Sequence, residues 1–428
     1  MEGLSVERLE RFEPRIVGHL ASDGSSFVYD AAYLESSRAT PLSQSLPLQT
    51  EAFSAREFRP YFEGLLAEGP ARRALASELQ LPEDDYLALL EACGRDCIGD
   101  VVISRAGSDG AREPAFYEPI DSDRFRALFC GLPCMAEENA ASRLSLAGTQ
   151  GKIGLAHDPR QSMDEGWLRP HGLAATTHIL KTSHLRDIPE IEFLCMKAAA
   201  LCGLEAARVG LIDAGASVLA VERFDRESVA EEGELRVRRL HQEDLAQALG
   251  VTPASKYAEL EGGTVRVVAR LFKERSVRPA RDIASFARML CFAYLVGDCD
   301  AHLKNYAVLY PDAGRGGAGL SLAPAYDFVC TTRYPRFSRD MAMALGGVRA
   351  IDEVRPDTFD ALAGELGITK AALRTLVRPL VERASEAMRT AADGGCGPTL
   401  ASTPYIADDL VEDMAPRRAV LKAFCDKG

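Results

Sequence analysis

Apolar and polar positions change period near the middle of the chain, from short mixed runs to long helical stripes. Arg15-Ile16-Val17-Gly18-His19-Leu20 and Phe27-Val28-Tyr29 flank Ser22-Asp23-Gly24-Ser25. Asp-Gly between two β-prone runs predicts a hairpin. Residues 37–52 are rich in Ser, Pro and Gln, carry no period and read as a loop. Phe58, Tyr61, Phe62, Leu65 and Leu66 recur at helical spacing, and Leu87, Leu89, Leu90 and Cys93 do so more loosely. Pro82-Glu83-Asp84-Asp85 is the expected start of the second of these helices, with Pro and acids in its first turn. Residues 106–123 are turn-rich and suggest a boundary, and Phe125 to Cys130 fits a short helix or a strand equally.

Further on, Thr176-Thr177-His178-Ile179-Leu180-Lys181 reads as a strand. A helix follows with Ile191, Leu194, Cys195, Ala198 and Leu201 on one stripe. Two more strands are expected at Val209–Ile212 and Ser217–Glu222, with Gly215 supplying the turn. Residues 227–236 read as an acidic, mobile excursion, and Leu240 to Gln247 as a helix start. Beyond this point helices dominate. Ile283, Phe286, Ala287, Leu290 and Tyr294 form one stripe, with Asp282 as the expected cap and Gly297 as the stop. Tyr306–Tyr310 has strand character. Helices are expected around Phe359/Leu362/Leu366, around Leu373/Leu376/Leu380 and over 407–424, with a break at residues 394–398.

Composition narrows the function classes. A chain of 428 residues exceeds one typical core, so two or three domains are expected. The net charge of −13 argues against a protein that coats nucleic acid or anionic membrane by itself. The eleven Cys are scattered without a CxxC pair, which fits reduced thiols in a cytoplasmic protein. No run has the apolar length of a membrane span, and the N-terminus has neither the basic nor the apolar region of a signal peptide.

The chemistry concentrates in Asp298-Cys299-Asp300-Ala301-His302-Leu303-Lys304-Asn305, followed by Asp327. An Asp and an Asn five residues apart, with another Asp some two dozen residues on, is a layout used for phosphoryl transfer. One carboxylate orients the attacking hydroxyl, and the amide and the other carboxylate hold magnesium. Upstream, Arg143 to Leu155 brackets a Gly-containing middle with Lys152, which suits a loop whose N–H groups face phosphate or a plain hairpin. Lys181 ends its strand either on a buried face, where it needs an anion, or at an exposed edge. Glu192 suits either a pair with that Lys or a solvated helix start.

Taken together, these motifs resemble the HipA family of bacterial serine/threonine kinases, the toxin half of HipA–HipB toxin–antitoxin pairs. The resemblance runs over nearly the whole chain, through Arg38–Leu48, Gly94–Val101, Ser145–Lys152, Thr177–Lys181, Val221–Arg226, Gln242-Glu243-Asp244, Asp300–Asn305 and Leu322–Asp327. It implies an α+β, two-lobed protein-kinase-like fold with a small N-terminal α/β subdomain at 1–105, a kinase N-lobe at 106–226 and a mainly helical C-lobe at 227–428. It implies Asp300 as catalytic base, with His302 and Lys304 in the catalytic loop, and Asn305 and Asp327 as Mg²⁺ ligands. Leu146, Ala147, Gly148, Thr149, Gln150, Lys152, Lys181 and Tyr326 would contact ATP. Glu222 and Phe224 would offer backbone groups to adenine, and Asp225 would lie near the ribose. Ser145 matches a serine that relatives autophosphorylate to switch themselves off. The implied partners are a HipB-like helix-turn-helix antitoxin, operator DNA mainly through that antitoxin, and a protein substrate with a target Ser or Thr, of which aminoacyl-tRNA synthetases are the class suggested. Gly151 stands where the family commonly has Glu in its Gln-Glu-Lys loop. A catalytically silent nucleotide-binding scaffold and a small-molecule kinase are the alternative readings.

Overall fold

The computed structural model describes residues 3–10, 12–107, 114–144, 146, 151–231, 234–311, 317, 319–393 and 402–427. The chain divides into two compact units. The first comprises Met1–His184, Ile212–Pro253 and Leu309–Ala318, and the second Leu185–Leu211, Ala254–Val308 and Gly319–Gly428.

The first unit begins with an antiparallel sheet in the order Phe53–Ser54, Ser26–Tyr29, Glu13–Leu20, Leu4–Glu10, Val101–Arg105. Its Asp23-Gly24 turn matches the expected hairpin: Gly24 sits at φ 69°, and the Asp23 carboxylate accepts from the Ser25 N–H. Val6, Val17, Phe27, Tyr29, Phe53, Phe58 and Phe62 share one buried cluster beneath it. The aperiodic stretch 37–52 is a loop, but its middle is anchored in the core. Tyr29 and Tyr33 tie it down: Tyr29 donates to the Leu46 carbonyl and Tyr33 to the Thr40 carbonyl, and Leu42 and Leu46 are fully covered. The helix expected from Pro82 starts later, at Tyr86, because the Asp85 carboxylate caps it by accepting from Ala88 N–H. A helix over Gly69–Glu78 has no counterpart in the sequence pattern.

A second sheet in this unit runs Phe116–Pro119, Trp167–His171, Lys152–His157, His178–Lys181, Ser217–Glu222. Trp167 packs on Phe125, which lies in a helix over Ser122–Ala127, among Ile153, Leu155, Leu180 and Val218. Of residues 227–236, expected to be mobile, the described ones belong to two antiparallel strands, Arg226–Glu231 paired with Glu234–Arg239. Their paired backbone outweighs the acidic composition that suggested a loop.

Three buried polar networks knit the first unit together. Asp96 and Asp225 share Arg223 and Arg226, and Asp96 also pairs with Arg239, every side chain at most 4% exposed. Asp100 accepts from Arg8 and pairs with His241. Glu243 accepts from the Ser43 hydroxyl at 2.5 Å, the Gln44 N–H at 3.0 Å and the Tyr310 hydroxyl. Segments widely separated in sequence are thus joined by charge rather than by grease.

The second unit is mainly helical. Helix Pro279–Val296 packs on Thr264–Arg275, Lys370–Ala392 and Thr403–Cys425. Helix Ile188–Leu201, assigned above to the N-lobe region at 106–226, belongs here instead, because it packs on Lys370–Ala392 and Thr403–Cys425. Asp282 is not a cap. It lies inside the first turn, buried, accepting from the Ser276 hydroxyl at 2.6 Å and the Leu322 N–H at 3.0 Å. The break expected at 394–398 lies outside the described residues. Among the described residues no helix is long and apolar enough to cross a membrane, and the ten described cysteines are free thiols.

Burial raises the Glu243 carboxyl from 4.5 to about 7, against the pull of its three donors. In the unfolded chain it keeps its ordinary value, so between these limits the folded state binds more protons and stability falls as pH rises. Urea midpoints at about pH 5 and about pH 8 should show a smaller loss for Glu243→Gln than for the parent. An equal loss in both would exclude Glu243 as the source.

Candidate functional site

The chemistry-bearing loop is placed by the end of a helix. Gly297 closes Pro279–Val296 in the left-handed region at φ 81°, its N–H bonded to the Ala293 and Tyr294 carbonyls. A Cβ there would lie 2.1 Å from Thr332 Oγ1 and 2.6 Å from Arg417 Nη2, so only glycine fits. Thr331 locks the exit: its hydroxyl accepts from Cys299 N–H at 2.8 Å and donates to the Gly297 carbonyl at 3.1 Å.

Asp298, one residue on, is buried and organises the loop. Its carboxylate accepts from the N–H of Asp300 at 2.9 Å and of Val329 at 3.4 Å, which ties the two acidic segments together. Asp300 itself is exposed. Its carbonyl accepts from His302 N–H at 2.6 Å and from Asn305 Nδ2 at 3.1 Å. A short 3₁₀ turn over Leu303–Asn305 follows, with Lys304 buried within it. The Tyr326 hydroxyl donates to the Lys304 carbonyl at 2.7 Å, so its hydroxyl braces the loop. Asp327 holds a left-handed backbone at φ 62°, uncommon outside glycine and frequent where function constrains a residue.

Burial, then the negative charges of Asp300 and Asp327, push the Asp298 carboxyl well above its usual range. Asp298 therefore lies within electrostatic reach of both Asp300 and Asp327. Among the described residues no three His, Cys, Asp or Glu side chains form a closed metal cage. One carboxylate and one amide, Asp327 and Asn305, suit Mg²⁺, which keeps positions for phosphate oxygens and water. The residues present fit that ion.

In the first unit, Lys152 stands directly opposite Lys181 on the neighbouring strand. The exposed-edge reading of Lys181 fails, because Lys181 is 5% exposed and flanked on its other side by Leu219. Leu180 and Ile153 turn into the core, so the two lysines share the other face. Like charges directly opposite repel, and a polyanion relieves the repulsion. Leu146 is buried, and Ser145, Ala147, Gly148, Thr149 and Gln150 lie outside the described residues. Glu192 is fully buried, which removes its reading as a solvated helix start.

Glu222 ends its strand opposite His178, and Phe224 is half-buried just beyond. Asp225 does not match a ribose contact. Its carboxylate accepts from Arg223 at 2.8 Å, from Arg226 at 2.7 Å and from Gly99 N–H at 2.7 Å, and it is 3% exposed. Burial alone would raise Asp225, but the two arginines hold it below its ordinary value. Its work is to fix the segment, not to meet a ligand.

The sequence pattern did not mark Tyr257. Its hydroxyl donates to Asp300 Oδ1 at 2.6 Å, and its ring stands edge-on to His302 at 5.1 Å. It sits in an aperiodic stretch, and no local signal connects it to residues 43 positions away.

Known proteins match this chain along most of its length. A model of the HipA N-terminal domain covers residues 11–104, and one of the HipA-like C-terminal domain covers 144–388. "Putative kinase Y4mE" of Sinorhizobium fredii is 35% identical over 88% of this chain and 90% of its own. "Serine/threonine-protein kinase toxin HipA" of Shewanella oneidensis is 25% identical over 96% and 93%. The solved Shewanella oneidensis HipA, in a complex with HipB and operator DNA, shares the fold with a TM-score of 0.79 at 23% identity, covering 99% of this chain and all of that one. The α+β, kinase-like fold expected from the sequence is therefore the fold observed.

Gly297→Ala should cost more than the same change at Gly347. Both glycines have φ near 82°, but Gly347 has nothing within 4 Å. The backbone term of about 1–2 kcal/mol is common to both, and crowding adds about 1–3 kcal/mol at Gly297. Denaturant midpoints that fall equally would refute this account of the turn.

Proposed function

The chain belongs to the HipA family, and on that premise we propose that it is an ATP- and Mg²⁺-dependent protein serine/threonine kinase acting as the toxin of a toxin–antitoxin pair. Its homologues over most of its length are named as kinases, which supports kinase activity in general. The observation that carries the finer reading is the arrangement of Asp300, Asn305 and Asp327 around one helix-terminating turn.

In this reading Asp300, exposed at the loop's tip, orients the acceptor hydroxyl and takes its proton as the oxygen attacks the γ-phosphorus. Lys152 and Lys181 hold ATP phosphates. The backbone of Glu222 to Phe224 meets adenine, and the buried arginine–aspartate cluster keeps that backbone in register. Lys304 and His302 complete the catalytic loop. Mg²⁺, held by Asn305 and Asp327, would neutralise charge on the phosphates. Ser145 is the proposed autophosphorylation site. A phosphate there adds up to about two negative charges, which repel ATP from the loop.

A HipB-like helix-turn-helix antitoxin is the proposed partner, supported by the relative solved with HipB and operator DNA. The net charge of −13 favours DNA contact through that basic partner rather than directly. The proposed substrate is a cytoplasmic protein with a target Ser or Thr, of the aminoacyl-tRNA synthetase class.

Transfer of label from γ-labelled ATP should fall at least about 100-fold in Asp300→Asn and in Asp327→Asn, with thermal unfolding little changed. Mass spectrometry of the wild type should find phosphate on Ser145. Retained transfer in both variants would reject the roles given to Asp300 and Asp327, and a wild type without transfer would favour a silent nucleotide-binding scaffold.

A further inference from the structure

Tyr257 has a place that the roles above do not account for. It follows the short turn Pro253–Ser255, is 45% exposed, and is held through its backbone, where its carbonyl accepts from Arg349 at 3.3 Å. Its hydroxyl reaches Asp300 Oδ1 at 2.6 Å. A hydroxyl at hydrogen-bond distance from a general base is where a phosphoryl acceptor must stand before it attacks.

Two roles are open to such a residue: it could aim the base, or it could fill the acceptor's place. The bonds around Asp300 favour the second. The Asp300 backbone is already fixed by the Asp298 carboxylate, the His302 N–H and the Asn305 amide, none of which involves Tyr257. On Asp300, the Tyr257 hydroxyl bonds to the carboxylate that the acceptor would use. Its ring rests edge-on against His302 and beneath Lys256, whose ammonium is 5.4 Å from the ring centre. These contacts hold the phenol in place without burying it, so an incoming chain can displace it.

We propose that Tyr257 is a specificity residue that occupies the acceptor-hydroxyl position on Asp300 until a serine or threonine displaces it, and so keeps water off the base. The inference rests on the kinase reading. Water and an alcohol react alike here: the oxygen attacks the γ-phosphorus, its proton passes to Asp300, and ADP leaves. With water the product is inorganic phosphate and ATP is wasted. A small, mobile water cannot displace a phenol held by ring packing as well as by its hydrogen bond, whereas a docked polypeptide brings binding energy with its hydroxyl.

The test is phosphate release from Mg·ATP by the full chain without added acceptor. Tyr257→Phe keeps the ring and removes the hydroxyl, and its hydrolysis should rise roughly 3- to 10-fold. Adding Asp300→Asn should abolish the gain. A residue that aimed the base would give the opposite sign, with hydrolysis and self-transfer both falling. Unchanged or reduced hydrolysis in Tyr257→Phe overturns the proposal, as does a gain that survives Asp300→Asn. Phosphotyrosine at position 257 of the wild type also overturns it, because Tyr257 would then be an acceptor. If the wild type shows Asp300-dependent transfer and Tyr257→Phe gains no hydrolysis, only this proposal fails. If the wild type shows no such transfer and the variant no Asp300-dependent hydrolysis, the kinase reading fails with it.

Discussion

Two carboxylates and three guanidiniums, nearly free of solvent, set the shape of the first unit. Asp96 accepts from Arg226 at 2.8 Å and from the Thr176 N–H and hydroxyl at 2.9 and 2.7 Å, while Asp225 accepts from Arg223, Arg226 and Gly99. Arg223 and Arg226 also donate to the Cys97 carbonyl, and Arg226 to the Gly99 carbonyl. Burial alone would raise the Asp96 carboxyl, yet the surrounding arginines hold it far below its usual value. The opposite strain shows at Arg226, where burial and neighbouring Arg223 lower the guanidinium to about 10. Such a cluster gives little net stability over an apolar core, but each member is costly to remove alone. Its value lies in specifying one register between the loop 96–100 and the segment 223–226.

That register bears on function because the same short segment is the proposed adenine contact. The Arg223 N–H also bonds to the Thr177 carbonyl, next to the strand that carries Lys181. The proposed phosphate and adenine contacts are thus referred to one rigid origin. The second unit is built on a different principle. There the backbone does the placing, through Gly297, Thr331, Asp298 and the left-handed Asp327, and Asp300, the proposed base, is left exposed.

What the sequence discloses follows the range of the forces involved. The Asp23-Gly24 hairpin and the stripe ending at Gly297 are local, and each is found where the pattern placed it. The hairpin of Arg226–Glu231 with Glu234–Arg239 is hidden by an acidic composition that reads as a loop. The association of Ile188–Leu201 with the second unit depends on helices distant in the chain, and the pattern gave neither. Asp225 was misread for the same reason. Beside a segment that meets a nucleotide, an Asp suggests a ligand contact, and only the fold reveals that Arg223, Arg226 and Gly99 already fill its oxygens. Glu243 and Ser43 were noticed as parts of family motifs without a physical role, and their shared hydrogen bond supplies one.

If the proposed nucleotide site is right, this remote charge cluster, and not only the residues beside the nucleotide, sets how tightly Mg·ATP binds. The direct measurement is a calorimetric titration of Mg·ATP into the wild type and into Asp96→Asn, with circular dichroism recorded on both. The account predicts affinity weaker by about ten-fold, or about 1.4 kcal/mol, in a chain that keeps its helix signal. An Asp96→Asn chain that binds Mg·ATP as tightly as the wild type would contradict it.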